Sequence, residues 1–157
     1  MRSRPFALVI AVVSVPVLLA VFYEGRKAYW DMQVKEMCEK DGGAKVFESV
    51  AMSAEDFKRL GGDENGLPIP FAEDQQKKDF PYYREISQTQ IRGGSPTVSR
   101  LEMRVRRRSD GKELGRSVHY IRSGGDIPTG LFNDSSYTCP RQVQFSKQIF
   151  TVQGVQK

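Results

Sequence analysis

The sequence predicts an α+β fold in which an N-terminal transmembrane helix with a helical extension precedes a small antiparallel sheet of about four to five strands, packed on one or two helices. The helix is predicted by an apolar block at residues 6–23, whose 18 residues carry no charge. The sheet is predicted by alternating apolar and polar residues on both sides of an Asp110-Gly111 turn. With 157 residues in total, the chain after this block is long enough for one domain.

The apolar block divides the chain into three predicted parts. Residues 1–5 form a short cytosolic tail, residues 6–23 a transmembrane signal-anchor, and residues 24–157 a single extracytoplasmic α+β domain. An 18-residue helix spans about 27 Å, which is the short end of a bilayer's hydrocarbon core. Arg2 and Arg4 precede the block, and residues suited to the headgroup region end or follow it: Phe22, Tyr23, Tyr29 and Trp30.

Two other interpretations of the block stay open, a cleaved secretory signal peptide and a buried helix of a soluble protein. The absence of an Ala-x-Ala cleavage pattern at its end favours the uncleaved anchor. Basic residues flank the block at both ends, but such a short N-terminal tail usually stays in the cytosol. We therefore predict a single-pass protein of the cell inner membrane, with its C-terminal domain facing the periplasm or exterior.

The two cysteines enclose most of the predicted domain. Cys38 and Cys139 are the only ones in the chain. In an oxidising compartment, a disulfide between them closes a loop of about 100 residues, worth on the order of 4 to 5 kcal/mol in the chain-entropy model. The alternative is a pair of unpaired buried thiols. Export across the membrane and a Cys38–Cys139 disulfide support each other, so we predict the bond.

Local patterns in the first half of the domain predict helices and one strand. Residues 24–40 carry apolar positions at helical spacing and continue or restart the membrane helix, which the Gly42-Gly43 pair ends. Residues 45–52 are rich in strand-forming side chains. Ser53 then begins a pattern resembling a capping box, which predicts a short helix over residues 54–60.

The second half predicts four strands, at residues 80–92, 98–107, 113–122 and 143–152. The short turns between the first three strands imply antiparallel pairing. The second and third strands form a hairpin around Asp110-Gly111, which is the most specific local signal in the chain. We expect this hairpin to present one apolar face, formed by Leu101, Met103, Val105, Leu114, Val118 and Tyr120.

Charge is unevenly distributed along the domain. Residues 92–122 hold nine basic side chains against three acidic ones, whereas residues 53–80 hold four basic and seven acidic ones. One interpretation is a surface that contacts phosphates of lipid headgroups or lipopolysaccharide, and the other is a charged sheet face that resists edge aggregation. A nucleic-acid partner is not expected, because no aromatic residues alternate with the arginines. The predicted basic surface patch comprises Arg100, Arg104, Arg106, Arg108 and Lys112.

The sequence assigns no catalytic residue, metal or cofactor. His119 is the only histidine, and strand parity points it away from Val118 and Tyr120. No Gly-x-Ser-x-Gly motif supplies a serine nucleophile, so we expect His119 to be solvent-facing or to serve as a hydrogen-bonded structural residue. A chain with one histidine and two cysteines has few soft metal ligands, and the spacing of a calcium loop is absent.

An apolar N-terminal helix, its extension, an antiparallel sheet and a late cysteine together resemble the architecture of type IV pilins and pseudopilins. That family carries a Gly before the processed Phe and a Glu five residues into the apolar segment. This chain has Pro5 before Phe6 and Ile10 at the Glu position. The resemblance is therefore architectural, over roughly the first 50 residues, and it implies a pilin-like or pseudopilin-like assembly subunit.

Three functional hypotheses follow. The first is a non-catalytic, membrane-anchored extracytoplasmic interaction or structural module of an envelope complex, whose partners are the bilayer and another envelope protein. The second is the pilin-like or pseudopilin-like assembly subunit. The third is a small envelope hydrolase with a carboxylate-based site, because a chain so poor in histidine and cysteine would need acids for catalysis. The composition excludes a polytopic membrane protein and a cysteine-dense scaffold.

Overall fold

A computed structural model of the chain describes residues 4–127, 134–141 and 144–153, with side chains from residue 14 onward. The predicted α+β class is confirmed, since an N-terminal helix precedes a five-stranded antiparallel sheet. The elements are α1 (Arg4–Asp41), β1 (Gly43–Val46), β2 (Val50–Met52), α2 (Ala54–Arg59), a 3-10 turn (Gln75–Lys77), β3 (Tyr82–Arg92), β4 (Thr97–Arg107), β5 (Glu113–Ser123), β6 (Ser136–Cys139), α3 (Phe145–Ile149) and β7 (Phe150–Val152).

Helix α1 runs without interruption through Pro16 and Gly25, so the predicted extension continues the apolar segment. It ends where the Gly42 amide donates a hydrogen bond to the Cys38 carbonyl (2.8 Å) and Gly43 adopts a φ of 103°, a conformation that favours glycine. The side chains of residues 6–13, in the predicted membrane segment, lie outside the described part of the chain. Within the described part, no helix has the length and apolar character needed to cross a membrane.

The five-stranded sheet is built around the predicted hairpin of β4 and β5. Strand β3 pairs with the free edge of β4, while β1 and β6 share the free edge of β5, along its first and second halves. The turn places Gly111 at a φ of 68°, as an Asp-Gly hairpin requires. Three of the four predicted strands therefore form nearly as expected, and short connections make them antiparallel.

The register of the hairpin shows that the expectation of a single apolar face is wrong. Directly opposed residues of an antiparallel pair point to the same side of a sheet. Leu101, Met103 and Val105 therefore lie on one face of the sheet and Val118 and Tyr120 on the other, so each face needs its own covering layer. One face carries the pairs Leu101–His119 and Met103–Ser117, and the other carries Glu102–Val118 and Arg100–Tyr120.

Helix α1 covers the second of these faces and the C-terminal segment covers part of the first. The smaller cluster packs α1 on the sheet through Val34, Cys38, Val98, Val118 and Tyr120. The larger cluster brings together β2, the loop after α2, both hairpin strands and α3: Met52, Leu67, Ile69, Val105, Leu114, Phe145, Ile149 and Phe150.

Two predicted strands were wrong. Residues 45–52 divide into β1 and β2, because the amides of Phe47 and Glu48 both donate to the Leu114 carbonyl (2.8 and 3.0 Å) and turn the chain out of the first sheet. Residues 145–149, predicted as part of a strand over 143–152, form α3 instead. Phe145 and Ile149 are four residues apart, so a helix places both in the core. Strands β2 and β7 then pair in parallel as a second sheet.

The short helix predicted after Ser53 is confirmed as α2. The Ser53 hydroxyl accepts a hydrogen bond from the Asp56 amide at 3.0 Å, and it donates one to the Asp56 carboxylate at 2.8 Å. This arrangement satisfies one of the unpaired amides at the start of the helix.

The predicted disulfide between Cys38 and Cys139 is also confirmed, with an S–S distance of 2.10 Å. It joins α1 to β6. Arg122, which is only 3% exposed, makes a second connection: its Nε donates to Asp31 Oδ1 of α1 (2.7 Å), and its Nη1 donates to the Gly124 carbonyl (2.6 Å). Covalent and charge-assisted contacts thus fix the C-terminal half of α1 on the sheet.

A third connection joins α1 to the loop after β5 through Asp126. Its carboxylate accepts hydrogen bonds from the Ser135 amide (2.7 Å) and from Lys27 Nζ (3.0 Å). These two contacts, the backbone one foremost, lower the pKa of Asp126 to about 2. Because the folded pKa lies below the unfolded one, the stabilisation is present above the unfolded pKa and is lost as the pH falls towards about 2.

We therefore expect Asp126→Asn to destabilise the protein by about 1 to 2 kcal/mol at neutral pH. The difference in thermal midpoint between the wild type and this variant should shrink as the pH is lowered from about 5 to about 2. Asp134→Asn is the matched control, because it removes a charge from the same loop without these contacts. A difference that stays constant across this pH range would contradict the assignment.

Candidate ligand-binding cavity

The residues of the predicted basic surface patch make ionic or hydrogen-bonding contacts within the chain. Arg100 Nη1 lies 2.5 Å from Glu102 Oε2, and Arg104 Nε lies 2.6 Å from Glu102 Oε1. Arg106 lies 3.2 Å from Glu85, Lys112 lies 2.5 Å from Glu48, and Arg108 Nε donates to the Phe80 carbonyl at 3.1 Å. Much of the positive charge is thus balanced locally, and binding of phosphates by this surface stays a prediction.

Glu102 is the centre of this network. It is 5% exposed, and a third arginine, Arg116, lies 3.4 Å from its Oε1. Burial alone raises the pKa of Glu102, but hydrogen bonds from Arg100 and Arg104 outweigh burial, so the pKa lies below its ordinary value. The carboxylate is therefore charged at neutral pH and neutralises the arginines that surround it.

The opposite face of the sheet holds a cavity of about 430 Å³, formed by β3, β4, β5, the loop after α2 and the start of α3. Its volume lies in the range of small-molecule sites. No Asp or Glu among the described residues lines it. The apolar part of its lining comprises Leu67, Ile69, Met103, Val105 and Phe145, and the polar part comprises Asn65, Arg84, His119, Arg141, Gln144 and Ser146.

Arg84 is the best-positioned cation of this cavity. Its guanidinium carbon lies 4.1 Å from the centre of the Phe71 ring, a cation–π contact that fixes the planar group. The Arg84 amide donates to the Pro70 carbonyl at 2.8 Å, which holds the loop against β3. Its Nε is buried and has no hydrogen-bond partner among the described residues. An unpaired donor on a buried charged group is costly unless an acceptor satisfies it.

His119 contributes its ring to the cavity wall and is hydrogen-bonded, as one of the two predicted roles requires. Nδ1 lies 3.1 Å from the Pro140 carbonyl, and Nε2 lies 3.0 Å from Ser117 Oγ. Because a carbonyl can only accept, Nδ1 carries the proton and Nε2 accepts from the Ser117 hydroxyl. This pairing is that of a serine nucleophile with its base, but Ser117 is fully buried, so its oxygen does not face the cavity.

The loop after α2 approaches α3 closely at the side of the cavity. Gly66 has a φ of 111°, and a Cβ built on it would lie 2.2 Å from Ser146 Oγ. Asn65 is held in a turn, because its amide donates to Asp63 Oδ1 at 2.7 Å. The Asp63 carboxylate of this loop thus stabilises the turn. Among the described residues, no group of three or more His, Cys, Asp or Glu side chains could hold a metal ion.

Sequence reasoning singled out His119 as a solvent-facing or structural residue, but it predicted no cavity and missed Arg84, Arg141 and the polar groups beside them. These residues come from distant segments, and no spacing pattern joins them. The one available signal was the disulfide, because β6 pairs Cys139 with Tyr120 and so carries Pro140 next to His119.

Comparisons with protein-family models, with curated proteins and with solved structures find no match to this chain. The function is therefore inferred from the fold and its surfaces.

Proposed function

We propose that this protein is a membrane-anchored extracytoplasmic interaction module of an envelope complex, held in the cell inner membrane by residues 6–23. The observation that supports the anchor most strongly is the exposure of large apolar side chains in the N-terminal half of α1. Leu18 is 67% exposed, and successive residues of a helix are about 100° apart, so the six exposed side chains cover more than half of its circumference. They are Val15, Val17, Leu18, Leu19, Val21 and Phe22. Such a surface suits lipid better than water.

The end of the domain where α1 emerges supports the same proposal. Trp30 stacks under the Arg92 guanidinium, whose carbon lies 4.7 Å from the centre of the indole ring system. Next to these contacts, Tyr29, Ile91 and Ile127 are exposed. Aromatic, apolar and basic residues together at one end of a domain are typical of contact with the headgroup region. The disulfide further supports an oxidising compartment.

The anchor is tested with the full chain carrying a C-terminal epitope. We expect the wild type to stay in the membrane fraction after a high-salt wash, and protease added to intact spheroplasts to remove the epitope. Val15→Arg should release most of the chain, because a charge at the centre of a membrane helix costs about 2.5 to 3.5 kcal/mol. Met32→Arg is the matched control, since Met32 is equally exposed but lies beyond the proposed membrane segment.

Each alternative outcome would overturn a part of the proposal. Release of the wild type by salt would exclude the anchor. A chain shortened at its N-terminus would show that residues 6–23 are a signal peptide that is cleaved. An epitope protected from protease in spheroplasts would show that the C-terminal domain faces the cytosol.

The pilin-like or pseudopilin-like assembly subunit is the second candidate, favoured by one observation. Helix α1 is 38 residues long, and the described contacts of its C-terminal half fix it on an antiparallel sheet. Mechanical shearing of cells tests this candidate: an assembly subunit of a surface filament should appear in the sheared, sedimentable fraction. An envelope module should stay with the cells. The hydrolase hypothesis gains no support from the cavity, because its described lining contains no carboxylate.

A further inference from the structure

We propose that the cavity beside Arg84 binds a small organic anion, a carboxylate or phosphate group carried on a short apolar chain. This inference concerns the domain itself and does not depend on the membrane anchor.

The charge of the cavity argues for an anion. Arg84 and Arg141 both line it, and in the part of the chain that the structure describes no carboxylate lines it to neutralise them. On the other face of the sheet the arginines are neutralised, because Arg100 and Arg104 form ion pairs with Glu102. A planar guanidinium presents parallel donors that match the two oxygens of a carboxylate or phosphate, so the two arginines suit an anionic head group.

The remainder of the lining argues for an apolar chain on that anion. Leu67, Ile69 and Phe145 expose only small apolar areas to the cavity, and Met103 beside them is half-buried. A volume of about 430 Å³ is near the lower end for small-molecule sites, which suits a short chain. The amides of Asn65 and Gln144 can orient the ligand by hydrogen bonding.

The single histidine of the chain offers a direct test, because His119 lines the cavity. The full chain, labelled isotopically on histidine, is titrated with hexanoate and with hexyl phosphate. We expect at least one of the two to shift the imidazole resonances saturably, and the tighter one identifies the head group. Acetate lacks the chain and hexanol lacks the charge, so each should bind at least about 10-fold more weakly.

Substitutions separate this site from general electrostatic attraction. Arg84→Gln and Arg141→Gln should each weaken binding of the tighter probe by about 10-fold or more, since each removes a charge-assisted hydrogen bond. Arg59→Gln, on the exposed surface of α2, changes the net charge equally and should leave affinity unchanged. Arg141 is exposed, so Arg141→Gln should fold normally. It therefore tests the site even if Arg84→Gln does not fold.

Three results would overturn the inference: no saturable shift with either anion, binding of hexanol as tight as that of the anions, or an equal loss of affinity in Arg59→Gln. None of these results bears on membrane retention, so the proposed anchor and the proposed ligand site can be refuted independently of each other.

Discussion

The double substitution Cys38→Ser/Cys139→Ser is expected to lower the free energy of unfolding by about 2 to 5 kcal/mol. The bond joins residues 101 positions apart, so it restricts most of the unfolded domain. Cys38 is also buried between α1 and the sheet, so its loss weakens the packing of that helix. Chemical denaturation of the full chain, with and without reductant, measures the effect.

Reductant is the internal control for this prediction. It should lower the midpoint of the wild type to that of the double variant and leave the variant unchanged. The contacts of Asp41 with Tyr120 (2.6 Å) and of Asp31 with Arg122 (2.7 Å) persist in both, so the variant should still fold. Equal midpoints for wild type and variant under oxidising conditions would show that the bond contributes nothing to stability.

Local patterns predicted those parts of the fold that neighbouring residues determine. The Asp110-Gly111 turn and the alternation around it predicted β4 and β5, and the hydroxyl of Ser53 predicted the start of α2. The contacts that stabilise these elements join residues that are close in sequence, so a local sequence pattern can predict them. The division of residues 45–52 depends instead on hydrogen bonds to Leu114 and on pairing with β7, which are distant contacts that a local pattern does not contain.

The faces of the hairpin were mispredicted for a related reason. Alternation determines which residues of one strand share a face. The register between two strands determines which residues of the second strand lie on that same face. The pairing of Leu101 with His119 places Leu101 and Met103 on the side of the sheet opposite to Val118 and Tyr120. The cavity follows from this arrangement. It forms on the face away from α1, where β3 contributes Arg84 and the chain after β6 contributes Arg141.

The substitution Glu102→Gln is expected to destabilise the protein by about 1 to 3 kcal/mol at neutral pH. Glutamine preserves the shape of the side chain but removes the charge that Arg100, Arg104 and Arg116 share. The three arginines are 25 to 38% exposed, and Arg100 and Arg116 keep Asp41 and Glu113 as partners, so water and these acids compensate part of the lost charge. Thermal unfolding should show a midpoint lower by about 3 to 10 °C.

The pH dependence identifies the cause of this loss. The folded pKa of Glu102 lies below its ordinary value, so its contribution is present above the ordinary carboxyl pKa and disappears as the pH falls through the lowered value. The difference between wild type and Glu102→Gln should therefore narrow below about pH 4. Glu113→Gln removes a more exposed partner of Arg116 and should cost about 1 kcal/mol or less.

The same variant tests how the predicted basic surface patch behaves. In the wild type Glu102 neutralises Arg100 and Arg104 from within the sheet, which limits the field they present to an anionic surface. Provided that Glu102→Gln is folded at the assay temperature, it should bind vesicles containing anionic lipid more tightly than the wild type does, and Glu113→Gln should change this binding less. Unchanged vesicle binding in a folded Glu102→Gln variant would mean that these arginines do not face the lipid, and the patch would then be a structural ion-pair network.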